Sequence, residues 1–170
     1  MFNPKPIHRD SIPRALSKAE RYRLLNEPFQ AESICRDVLA IDPQNQEATI
    51  CLILSLTDMF GGGEARVDEA RALLPRLASA FDRSYYEGMV HERWARALLV
   101  TGYPPSTAYD LFRAAMLCFE QAQSHAEPGN DDAVLRWNAC VRIMDRNHIR
   151  PAEVGAADDR ESLDDDVPMR

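Results

Sequence analysis

The run with the strongest hint of chemistry is His91-Glu92-Arg93-Trp94-Ala95. A histidine followed by a glutamate opens the helical motif in which a second histidine, four residues on, completes a zinc pair and the glutamate serves as base. Alanine stands at that place here, so the run predicts a partly exposed helix histidine and no zinc protease. Gly61-Gly62-Gly63 has the freedom of a phosphate loop, but no Gly-Lys-Ser/Thr follows and no strand pattern precedes. It predicts a flexible link between helices. Cys35, Cys51, Cys118 and Cys140 are far apart, form no Cys-x-x-Cys and sit in apolar helical context. They read as buried free thiols, with a metal site or a disulfide pair as the alternative. Glu92 and Asp110 could form an acid pair, but nothing in the sequence fixes their separation, so they read as solvated helix carboxylates. Asp164-Asp165-Asp166 lacks the alternating ligands and glycine of a calcium loop. No serine or cysteine carries the signature of a nucleophile. The expectation is a chain that is not an enzyme and uses no metal or cofactor.

Bulk composition narrows the classes further. At 170 residues with a net charge of −7, the chain suits one domain and argues against generic nucleic-acid binding. Tyrosines and tryptophans at helical spacing read as core rather than base-stacking platforms. No apolar run is long enough to span a membrane. The first ten residues are polar with two prolines, unlike a signal peptide. The expected location is cytoplasmic, which suits unpaired cysteines.

The elements that would position any functional residue are helices. Ala31, Ile34, Cys35, Val38, Leu39 and Ile41 fall mostly three or four apart, and Pro43 stops the helix they make. Before it, Ser11 caps a helix with Pro13 in its first turn, running to about residue 26, and Glu27-Pro28 marks the turn. Residues 46–60 are apolar nearly all round, which means burial on most sides or one face waiting for a ligand. Residues 64–80 form a helix that Pro75 kinks or ends. Another spans about 82–101, ended by Gly102-Tyr103-Pro104-Pro105, with Tyr86, Val90, Trp94, Ala97 and Leu98 inward. Ser106 or Thr107 caps the next, through about residue 124, with Phe112, Ala115, Met116, Phe119 and Ala122 on its stripe. Asn130 or Asp131 starts a last helix carrying Trp137, expected to bury against the helix of Phe119. From residue 150 the chain turns acidic and cannot bury enough apolar surface to order itself.

Residues 12–45 resemble a tetratricopeptide (TPR) repeat. Ala31, Cys35, Val38 and Pro43 match the small, large, small and proline places of its second helix, and Ala19 and Tyr22 match places in the first. Ala15 and Lys18 depart from the bulky places. Ala115, Phe119 and Ala122 repeat the small, large, small spacing, and Pro128 follows one residue late. Ala70, Leu74 and Leu77 carry it a third time with an oversized last member. The resemblance implies an all-α, right-handed superhelix of three antiparallel hairpins plus a C-terminal capping helix, covering residues 11–148. A flexible arm (1–10) and a disordered acidic tail (149–170) flank it.

In such repeats the first helices line a concave side that binds a partner. Mapped onto this chain, the resemblance places Leu16, Glu20 and Arg23 there, then Glu47, Ile50, Leu54, Thr57 and Asp58, then Glu92 and Arg96, and from the cap Leu135, Ala139 and Arg142. The lysines and asparagines of a carboxylate clamp are missing from these places. Ile50, Leu54 and Leu135 are expected to form an apolar floor with Glu47, Asp58, Arg96 and Arg142 around it. The alternative is that the three apolar residues close the groove against each other or the N-terminal arm. The expected function is a non-catalytic protein-binding module, an adaptor or assembly factor holding a helix or peptide of a protein partner, with no nucleic acid or membrane involved. The other classes are a ligand-binding or regulatory helical subunit of an enzyme complex and a self-assembling structural protein. Monomer and dimer both stay open.

Overall fold

The computed structural model describes residues 2–152, apart from the side chains of residues 62, 64 and 65. Seven α-helices follow one another: α1 (Ile12–Leu24), α2 (Pro28–Ile41), α3 (Gln46–Thr57), α4 (Glu64–Leu73), α5 (Ala80–Val100), α6 (Pro105–Ser124) and α7 (Asp132–Arg146). Short 3-10 turns at Arg9–Ser11, Phe60–Gly62 and Leu74–Arg76 adjoin them, and the described residues include no strand. The fold class is all-α, as expected. No described helix is long and apolar enough to cross a membrane.

Three helices stop by the same device. Two residues beyond the ends of α1, α5 and α7, φ turns positive: Asn26 at 59°, Gly102 at 85° and His148 at 51°. The following N–H then reaches back to a carbonyl of the last turn: Glu27 to Tyr22 at 2.9 Å, Tyr103 to Leu98 at 3.0 Å, Ile149 to Met144 at 2.9 Å. This Schellman arrangement satisfies carbonyls that the helix leaves over. Glycine and asparagine accept positive φ cheaply, whereas His148 does not. Its conformation is held by Ile149, which is fully buried in the core. The tail expected from residue 149 therefore starts later, and the tail from residue 153 lies outside the described residues.

Helix starts follow the sequence less closely. Asn45 caps α3 by accepting the Ala48 N–H at 2.9 Å, and Asn130 accepts the Asp132 N–H at 3.0 Å ahead of α7. Ser11 does not cap α1, because its backbone is already helical and its hydroxyl donates back to the His8 carbonyl at 2.6 Å. Ser106 and Thr107 do not cap α6, which starts earlier, on Pro105. Proline in that place has its φ preset and no N–H to satisfy. Pro75 ends α4 at Leu73 as expected, and the chain goes on as a 3-10 turn.

Packing joins each helix to its neighbours in sequence, and α1 to α3 and α3 to α5 as well. Helix α3 thus has α1, α2, α4 and α5 around it, and eight of its twelve residues are buried. Its all-round apolar character serves this central position. One core cluster unites Ala31, Cys35, Leu52, Ile53, Leu56, Phe60, Val67 and Leu77 with Val90 of α5. A second unites Met89 and Ala95 of α5 with Phe112, Phe119, Ala133, Cys140 and Ile149. Helix α5 belongs to both and ties the halves together. Trp137 is half-buried against α6, with its indole N–H donating to Glu120 at 3.0 Å. The N-terminal arm has no helix or strand over residues 2–8, but Ile7 lies against Ile12, Leu16, Val38 and Ala48.

Candidate functional site

A line of ion pairs runs across the odd-numbered helices. It starts at Asp58, the residue that ends α3. A carboxylate at a helix C-terminus meets the negative end of the helix dipole and needs cations. Two converge on it. Arg23 of α1 donates from Nε to Asp58 Oδ2 at 2.9 Å, and Arg93 of α5 donates from Nη1 to Asp58 Oδ1. The same Arg93 nitrogen reaches the Thr57 hydroxyl at 2.7 Å. Burial pushes the Arg93 guanidinium below its ordinary pKa; Asp58 works against that, and Arg23 and Arg136 add to it. The group keeps its charge all the same, since an arginine is not deprotonated in proteins.

Next along α5 is Glu92, only 1% exposed. Its two oxygens lie 3.6 Å from Arg96, one turn on, and 3.4 Å from Arg136 of α7. Burial works against the Arg136 charge, but the Tyr85 hydroxyl and Glu92 outweigh it and raise the guanidinium above its usual value. A buried carboxylate with two arginine partners is a compensated charge. So α1, α3, α5 and α7 are joined along one face by Arg23, Asp58, Arg93, Glu92, Arg96 and Arg136.

In this network four guanidinium groups face two carboxylates. Beside it is a solvent-open hollow of about 450 Å³, where Arg93 and Arg96 stand over Phe60, Ala97 and Val100. Val100 is 87% exposed. The arrangement offers cationic hydrogen-bond donors next to a small apolar step. It suits carboxylates, which arginine grips through paired N–H groups.

The sequence-expected residues fall into three groups. Arg23, Asp58, Thr57, Glu92 and Arg96 come together as just described. Glu20 is exposed one turn before Arg23, and Glu47 is exposed in the first turn of α3. The others take different places. Leu16 is 2% exposed and belongs to the core. Ile50 and Leu54 are half-buried, packed on the first and second core clusters, because α3 is enclosed by four helices. Leu135 is 62% exposed and Arg142 is exposed as well. Both sit across α7 from Ala133 and Cys140, its buried side. An apolar floor of Ile50, Leu54 and Leu135 is therefore not formed.

Arg93 and Arg136 were missed. Arg136 follows Leu135 directly, and the register of α7 could have been set by Ala133, Trp137 and Cys140, which put Arg136 beside α5 and Leu135 outside. Arg93 lies three residues before Arg96, a spacing that puts both on neighbouring turns of one helix. Set against protein-family models, curated proteins and solved structures, the chain matches none of them.

Proposed function

We propose that this chain is a non-catalytic binding module, an adaptor or assembly factor acting in the cytoplasm, that holds an acidic helix or peptide of a protein partner on the face shared by α1, α3, α5 and α7. The reading keeps the resemblance to TPR repeats: α1–α2, α3–α4 and α5–α6 as hairpins of a right-handed superhelix, and α7 as cap. The contacts of α1 with α3 and of α3 with α5 are in keeping with it. The observation that carries the functional part is the ion-pair network itself, four guanidinium groups to two carboxylates, in a chain whose net charge is −7. An acidic segment would pair with Arg96 and Arg93 and set an apolar side chain on Ala97 and Val100. Such charge sets orientation and encounter rate more than affinity. The alternative, a ligand-binding regulatory subunit, calls for an enclosed cavity with converging polar groups, and the hollow beside Asp58 is open.

Charge reversal at Arg96 is the test. Its side chain is 56% exposed but also faces buried Glu92, so Arg96→Glu is read only where circular dichroism shows the helices intact, and Val100→Asp, on an 87% exposed residue outside the ion pairs, is the companion variant. Partners captured by the wild type should be lost by about tenfold or more, an effect of roughly 1.4 kcal/mol or greater. Equal capture by Arg96→Glu and by Val100→Asp would contradict the reading. The chain's own residues 153–170, with seven acids and two arginines, have the same chemistry as the proposed partner. A chain ending at residue 152 shows whether they compete, since capture then rises.

A further inference from the structure

We propose that Glu87, His91 and Cys118 form a site for one divalent transition-metal ion of the zinc type, on the side of α5 turned away from Arg96. Glu87 and His91 are four residues apart on α5, so they stack on one face of the helix. Cys118 comes from α6, the helix packed along α5. A carboxylate oxygen, an imidazole nitrogen and the thiol sulfur all lie within 4.8 Å of one another. A tetrahedral zinc ion with bonds of about 2.0–2.3 Å holds its ligands roughly 3.3–3.8 Å apart. Small side-chain rotations close that gap. Arg96 is nine residues from Glu87, about 180° round the helix, so the site is independent of the partner-binding reading.

Two further observations support a ligand there. His91 Nδ1 is buried and has no hydrogen-bond partner among the described residues. Buried polar atoms are nearly always paired, and a bond to a metal would supply the partner. The backbone positions are also fixed. Gly88 and Phe119, next in the chain to Glu87 and Cys118, mark a very close approach of α5 to α6. A Cβ on Gly88 would lie 2.6 Å from the Phe119 ring. A site held between two tightly packed helices keeps its donors in place.

The donor types suit zinc: a partly buried imidazole and thiol beside an exposed carboxylate. On binding, the Cys118 S–H bond breaks, the sulfur bonds the metal as thiolate, and the proton goes to solvent; no electron is transferred. One thiolate and one carboxylate then balance the ion, and the mixed sulfur, nitrogen and oxygen donor set favours zinc over calcium or magnesium. Glu87 is exposed, which leaves a fourth position for water. The histidine that the His-Glu run leads one to seek four residues on is absent; a carboxylate stands four residues back instead, at Glu87, and the third donor is on another helix.

Cobalt(II), added to the full chain after treatment with a chelator, reads the site directly. The proposal expects one equivalent bound with a sulfur-to-cobalt charge-transfer band, displaced by zinc. Cys118→Ser should abolish that band, and His91→Gln should weaken binding about tenfold or more, with unchanged helical circular dichroism. Weak binding by the acidic tail involves oxygen alone and gives no such band. In the wild type, zinc should also slow alkylation of Cys118, read by mass spectrometry. Absence of the band, a band that survives Cys118→Ser, or alkylation of Cys118 indifferent to zinc would each overturn the proposal.

Discussion

Glu92 shows what a single residue does in this molecule. It is buried, and its two arginine partners come from α5 and α7. Arg136→Met removes the closer one and leaves a desolvated carboxylate with one more distant cation. The expected loss is about 2–3 kcal/mol in urea unfolding. Arg142→Met, on the exposed side of α7, should stay within about 0.5 kcal/mol of the wild type. A second residue sets an acid-side limit. Burial works to raise the Glu32 carboxyl, but hydrogen bonds and charge from Arg36 and Arg66 outweigh it and hold the pKa below the usual range. With a depressed pKa, these pairs stabilise fully above the unfolded value of about 4.3, and the contribution is lost as pH falls through the lower folded value. Glu32→Gln should therefore flatten the stability profile below about pH 4.5, by under about 1 kcal/mol. Of the residues in the ion-pair line, Arg23, Asp58, Glu92 and Arg96 were named from the sequence because the resemblance to TPR repeats maps them to one side. The carboxylate bridging was not, since it depends on which helix ends meet.

Helices were the legible elements. Their stripes and prolines mark them, and Ala115, Phe119 and Ala122 are all fully buried as their spacing implies. What periodicity cannot tell is how many neighbours a helix has. Residues 46–57 are apolar on more than one stripe whether four helices enclose them or a ligand does, and the contacts decide for the helices. Nor does it show where two helices come closest. Gly88 was not singled out, yet it is where the Phe119 ring rests on α5. Gly88→Ala should cost about 1–3 kcal/mol through overpacking, despite alanine's better helix propensity. A thermal midpoint equal to or above the wild type would mean that the ring moves aside freely. Trp137, expected inside, is only half-buried, since among the described residues no helix follows α7 to cover it.

At the scale of the molecule, two faces carry different chemistry. Guanidinium groups gather where the odd-numbered helices meet, and a mixed donor set lies between α5 and α6 on the other side of α5. Overall charge gives no hint of the first, because a chain of net charge −7 conceals a local cationic surface. The central claim is that this surface holds an acidic protein segment. A photo-crosslinking amino acid placed at Val100, on that surface, and at Arg113, exposed on α6, tests it most directly in cells. The account predicts crosslinks from position 100 to a defined segment rich in aspartate and glutamate, lost in the Arg96→Glu background, and none to that segment from position 113. Equal crosslinking from both positions, or crosslinks from position 100 that persist with Arg96→Glu, would contradict it.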